Sequence, residues 1–138
     1  MGNFQQDLQF GQRWEDIFIQ QFAKHNSILY RPKGYFREFD VEIDGIRYEV
    51  KADKRTHSTN NVCIEYEHTG KPSGISTTTA DFYIYFVIAP DNSYVVYKIP
   101  THYIRELIDA KKYHRVIHNY DDAVFYLFDI CLFAFNRV

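Results

Sequence analysis

Between residues 10 and 22 the apolar positions Phe10, Trp14, Ile17, Phe18 and Phe22 recur at helical spacing, which predicts a first helix over residues 4–24 with one buried stripe. Glu15 falls on the flank of that stripe. Pro32 and Gly34 close the helical region, and an extended stretch begins near Tyr35. Two strand-like runs follow, residues 36–43 and 46–52, separated by Asp44-Gly45. Asp-Gly between alternating runs marks a two-residue type I′ hairpin, because both turn residues must take positive φ. A two-residue loop fixes the register: Ile43 faces Ile46, Val41 faces Tyr48 and Phe39 faces Val50, so one face of the hairpin is apolar and belongs to the core. On the opposite face Glu42 meets Arg47, Asp40 meets Glu49 and Glu38 meets Lys51, and every residue is charged.

Further along, Val62, Ile64 and Tyr66 alternate with Cys63, Glu65 and Glu67, predicting a third strand over residues 62–67. Residues 69–73 read as a loop, and residues 74–80 as one or two helical turns capped by Ser73. The unbroken apolar run 82–89 is expected of a central strand buried on both faces. A turn at 90–93 leads to a strand over 94–98, and Thr101 can cap a helix to Ala110 that buries Tyr103, Ile104 and Leu107. Residues 116–118 suit an edge strand, and 124–135 a strand ending in an aromatic segment. The order predicts an α/β sandwich with a mixed sheet, built as a single domain over residues 1–138.

The balance of 46% hydrophobic and 25% charged residues is that of a soluble globular protein. Residues 1–10 carry no basic-then-apolar leader and no apolar run is long enough to cross a bilayer, so the expectation is a cytoplasmic protein with no membrane partner. Cys63 and Cys131 lie among apolar residues without CxxC spacing and are expected to be buried, reduced thiols. A net charge of −2 argues against a protein that coats phosphates indiscriminately. Cations nevertheless cluster, with Lys24, Arg31, Lys33 and Arg37 before the hairpin and Lys51, Lys54, Arg55 and Lys71 after it.

Opposing Asp40 and Glu49 across a hairpin is unfavourable unless something positive offsets the repulsion. Lys51, two residues along the same face, supplies part of that charge, and a divalent cation bridging the carboxylates would supply the rest. Hard oxygen ligands without paired His or Cys favour Mg2+, with Mn2+ as a substitute, over zinc. Such a site suits phosphodiester hydrolysis: Asp40 and Glu49 are the expected metal ligands, the Val50 backbone carbonyl a further one, and Lys51 the group that positions water or stabilises developing charge. The alternative is a solvent-facing, salt-bridged hairpin surface.

The run Asp40 … Glu49-Val50-Lys51 resembles the signature of the PD-(D/E)XK nuclease superfamily, and residues 10–89 are similar to its restriction-endonuclease-like αβββαβ core, a mixed sheet flanked by helices. Matched residue by residue, Asp40 stands at the first metal-binding acid, Glu49 at the second and Lys51 at the lysine. Glu15 resembles the helical glutamate of branches similar to Holliday-junction resolvases, and Phe39 replaces the proline of the name. The resemblance implies Mg2+-dependent endonucleolytic cleavage of DNA, including branched or otherwise structured DNA, and a homodimer on symmetric substrates; the aromatic tail, residues 125–135, is the candidate surface for such a dimer. An RNA-directed nuclease or a catalytically silent nucleic-acid- or protein-binding module on the same fold remain open beside it.

Around this centre, Glu65 is either an outer ligand or an ordinary strand acid. Lys54, Arg55, Lys71, Ser73, Ser76 and Thr77 are candidates for nucleic-acid contact, the last three through amides at a helix start. Asp81 is expected to fix a turn, and His57, His114 and His118 complete no metal set. Tyr30, Tyr35 and Tyr66 are candidates for stacking on an unpaired base.

Overall fold

The computed structural model describes residues 4–33 and 38–138, with side chains from Leu8 onward. In chain order the elements are α1 (Phe4–Phe22), β1 (Leu29–Tyr30), β2 (Val41–Ile43), β3 (Ile46–Asp53), α2 (Thr56–Thr59), β4 (Asn61–His68) and β5 (Lys71–Pro72), then β6 (Phe82–Ile88), β7 (Tyr94–Pro100), α3 (Thr101–Asp109), β8 (Arg115–His118) and β9 (Ala123–Asp129). Short 3₁₀ turns cover Gly74–Ser76 and Ile130–Asn136. The protein is of the α/β class, with its strands in two sheets.

The Asp44-Gly45 turn forms as the sequence requires, with φ of 52° and 84° at its two residues. The register Ile43–Ile46, Val41–Tyr48 and Glu42–Arg47 is the one expected. Val41, Ile43, Tyr48 and Val50 pack with Trp14 and Phe18 of α1, so the apolar hairpin face and the helical stripe bury one another. The Trp14 ring packs tilted against Phe86 at a centroid distance of 4.9 Å, and Phe18 against Tyr48 at the same distance. Phe22, expected in the stripe, is exposed and lies against Phe18.

The single mixed sheet expected from the strand order is replaced by two. One has the order β1-β2-β3-β6-β7, mixed because β3 and β6 run parallel; the other is antiparallel, β5-β4-β9-β8. The third strand does not join the hairpin's sheet but pairs with β9, 55 to 68 positions away, from Asn61–Asp129 to His68–Ala123. Alternation along β4 reports one buried face and is silent about which strand lies alongside. The first sheet is packed on both sides: Ile84, Phe86 and Ile88 face α1, while Tyr83, Tyr85 and Val87 join a second core with Val62, Ile64, Ile104, Phe128 and Phe133. β6 is buried on both faces, as its run predicted.

Other expectations are corrected. Strand β2 begins at Val41, so Asp40–Glu49, Phe39–Val50 and Glu38–Lys51 are not ladder pairs; Phe36 and Arg37 lie outside the described residues. The helical turns expected over 74–80 shrink to Gly74–Ser76, and Ser73 makes no cap bond because its hydroxyl donates to Glu65 Oε2 at 2.7 Å. Gly74 is required there: its φ is +53° and a Cβ would sit 2.2 Å from the Glu65 carbonyl oxygen. Pro100, not Thr101, stands at the cap of α3, and the buried Thr101 hydroxyl meets no partner among the described residues. Residues 56–59 form a helical turn. The C-terminal strand ends at Asp129. Both cysteines are free, but Cys63 is half-buried and Cys131 exposed, because Cys131 sits on the outer side of the final 3₁₀ turn.

Candidate active site

The ladder between β2 and β3 stops at Val41–Tyr48, and one residue earlier Asp40 changes its role. Its amide still donates to the Tyr48 carbonyl at 2.9 Å, while its Oδ2 accepts the Val50 N–H at 2.7 Å. A side-chain oxygen thus takes the place of the next backbone partner. Upstream the chain turns away: the Glu38 carbonyl accepts the Thr79 N–H at 3.0 Å, with Thr78 Oγ1 at 2.9 Å. Strand β3 therefore runs on past its neighbour, and its edge opens into a cleft of about 280 Å³ lined by Gly11, Glu15, Asp40, Val50 and Lys51.

This edge also decides where the Val50 carbonyl points. In a strand the N–H and C=O of one residue face the same side. Since Val50 N–H reaches Asp40, its carbonyl is directed along the same edge.

Asp40 and Glu49 are both buried, and Thr78 Oγ1 stands 3.1 Å from Glu49 Oε1. Lys51 Nζ lies 3.6 Å from Glu49 Oε2 with its side chain nearly half exposed. Burial pushes the Glu49 carboxyl up to about 7, the Asp40 charge adds to the rise, and Lys51 opposes it. At Lys51 loss of water disfavours the ammonium, but Glu49 and Asp40 outweigh this and hold its pKa above the usual lysine value. Glu65, across on β4, adds to that negative field.

The structure also brings to the site residues that sequence reasoning did not place there. Tyr83 is the parallel partner of Glu49. Its hydroxyl is buried without a partner among the described residues, and burial first, then the Glu49 and Asp40 charges, raise its pKa despite Lys51. Thr78 is held from behind by Arg105 of α3, whose guanidinium donates to the Thr78 and Ile75 carbonyls at 2.9 and 3.2 Å. Arg31 pairs with Glu15 at 3.1 Å and with Asp16 at 2.7 Å, so the buried helical glutamate carries its own cation. These contacts depend on β3–β6 pairing and on how α1 docks, neither of which leaves a periodic trace.

Among the described residues no three His, Cys, Asp or Glu side chains form a group able to hold a metal. The donor set fits Mg2+ by another route, because that ion keeps several waters and needs only one or two protein carboxylates. Asp40, Glu49 and the Val50 carbonyl are hard oxygen donors of that kind, and both carboxylates are buried.

Outside the cleft the other candidates separate. Lys54 and Arg55 are exposed at the end of β3, with Lys54 Nζ 5.0 Å from the Phe10 ring centroid. Lys71 is exposed on β5. Ser76 donates to the Tyr66 carbonyl and Thr77 to the Gly74 carbonyl, so the phosphate-binding helix start expected at residues 73–77 is not formed. Asp81, expected to fix a turn, instead accepts the Arg47 N–H of β3 at 2.9 Å. His57, His114 and His118 are exposed. Tyr30 is exposed, Tyr66 is stacked on Tyr126, and Tyr35 lies outside the described residues. Within the tail expected to form a dimer surface, Phe128 and Phe133 are fully buried in the chain's own core, leaving Phe135 exposed. No helix among the described residues is long and apolar enough to cross a membrane.

Comparison with models of known protein families and with curated proteins gives no match, so the functional reading rests on the chemistry of this cleft.

Proposed function

We propose that this protein is a metal-dependent nuclease that hydrolyses DNA phosphodiester bonds, in the manner of the PD-(D/E)XK enzymes whose signature Asp40 … Glu49-Val50-Lys51 resembles. The observation that carries this reading is the pair of buried carboxylates at the mouth of the β2–β3 hairpin, with Lys51 3.6 Å from Glu49. A hairpin surface serving only stability would keep these groups solvated, where each costs little. The αβββαβ order implied by the resemblance is followed in α1, the hairpin and the parallel strand β6, while β4 departs to the second sheet.

Asp40, Glu49 and the Val50 carbonyl would hold Mg2+ or Mn2+, which when bound polarises a phosphoryl oxygen and acidifies a water. Lys51 keeps its proton through the neutral range and can donate to a non-bridging phosphate oxygen or orient the attacking water. Asp40 has a second task, since its bond to the Val50 amide holds the strand edge in place. Arg31 holds the Glu15 carboxylate against α1 at the cleft wall.

The test is cleavage of labelled linear, single-stranded and four-way-junction DNA, with RNA alongside, in magnesium or manganese. Native protein should cut, and Lys51→Ala and Glu49→Gln should not. Absence of cleavage on every substrate would replace this proposal with a binding module, and cleavage of RNA alone would reassign the substrate.

A further inference from the structure

Beyond Lys51 the edge of β3 leads out of the cleft into a second, larger cavity of about 600 Å³. The two share Phe10 and Ala52 as a common wall. On the far side Phe125 of β9 and Ile117 of β8 are directly paired across the second sheet and present the same face to the cavity. Asn119 stands beside them, and Lys54 and Arg55 supply cations on the β3 side. The floor is rigid: Asp53 Oδ1 accepts the Arg55 and Thr56 amides at 2.6 and 3.1 Å, and Oδ2 accepts the Tyr85 hydroxyl at 2.8 Å. Asp53 is thereby committed to structure, leaving the exposed Lys54 and Arg55 to set the charge at the cavity mouth.

We infer that this cavity receives the unpaired base and sugar of a nucleotide adjacent to the phosphate held at Asp40, Glu49 and Lys51, an inference that rests on the nuclease reading. The chemistry matches a nucleoside in each part. Phe10 and Phe125 line it with aromatic rings, Lys54 already resting over Phe10, the Asn119 amide can donate to and accept from a base edge, and Arg55 with Lys54 can meet the flanking phosphate. From Lys51 to Lys54 the strand advances roughly 10 Å, the span of one or two nucleotides. Since a paired, stacked base cannot enter, the site selects single-stranded or locally opened nucleic acid.

Binding is read without catalysis, by titrating isotopically labelled, metal-free protein with a thymidine tetranucleotide and following amide resonances. Residues 117, 119 and 125 should shift together with the cleft. Phe125→Ala should weaken binding about tenfold to a hundredfold. Ile117→Trp, which fills the cavity from an edge strand without emptying the core, should do the same. In cleavage assays, a substrate lacking one base next to the scissile phosphate should be cut equally by native protein and Phe125→Ala. Shifts confined to the cleft, or unchanged affinity in both variants, would overturn the cavity's role while cleavage by native protein kept the nuclease reading alive. Cavity-dependent binding by a protein that cuts nothing would sink the nuclease reading instead, and retain the nucleoside site.

Discussion

The two faces of the β2–β3 hairpin are made by alternate residues of the same strands, yet they are stabilised in opposite ways. On one, Val41, Tyr48 and Val50 meet Trp14 and Phe18 in close apolar packing that does not depend on pH or ions. On the other, Asp40 and Glu49 are buried beside each other with Lys51 as their half-exposed counter-charge. Period-two alternation lets one strand hold both, so the packed face fixes the geometry that the charged face needs and would not adopt by itself.

Removing charge should therefore affect chemistry far more than folding. In cleavage assays Lys51→Ala and Glu49→Gln are expected to lose at least about a thousandfold in kcat, the scale of removing a group aimed at transition-state charge. Near-UV circular dichroism should show both variants folded. A loss under tenfold in either would remove that residue from the chemistry.

Removing packing should do the reverse. Trp14→Ala empties a site bounded by Phe86 and Tyr94 and is expected to cost about 3–5 kcal/mol in urea denaturation. A cost below about 1 kcal/mol would mean that α1 is not the support of the hairpin.

The charged face should also make stability depend on pH in a definite direction. Glu49 binds its proton more tightly in the folded protein, at about 7 against 4.5 for the free side chain. Its contribution is complete below about 4.5 and is lost as pH rises through 7, in total about 3 kcal/mol without metal. Measured in EDTA, native protein should thus lose stability between pH 5 and pH 8 relative to Glu49→Gln, and magnesium should restore it selectively. If native protein gained stability over that range relative to the variant, the burial of Glu49 would be refuted.

A smaller effect is expected where the second sheet braces the site. Gly74→Ala places a Cβ against the Glu65 carbonyl at positive φ, and should cost about 2 kcal/mol by thermal or urea denaturation. The same loop carries Thr78 to Glu49, so kcat should fall as well. An unperturbed Tm would show that the loop can move off β4.

By itself the sequence determined what is periodic or covalently local. The stripe of α1, the Asp44-Gly45 turn, the register from Ile43–Ile46 to Val41–Tyr48 and the double burial of β6 follow from spacing and φ, and with them the placement of Glu49 and Lys51 on one face of β3. Tertiary structure decided the partners. That β4 would leave the hairpin for β9, that β6 would bring Tyr83 beside Glu49, and that Arg31 would close on Glu15 depend on contacts between distant residues. It also decided burial: a charged face reads the same in sequence whether water or a loop covers it. Here Thr78 and its loop cover Glu49, and burial raises the pKa of an otherwise ordinary acid.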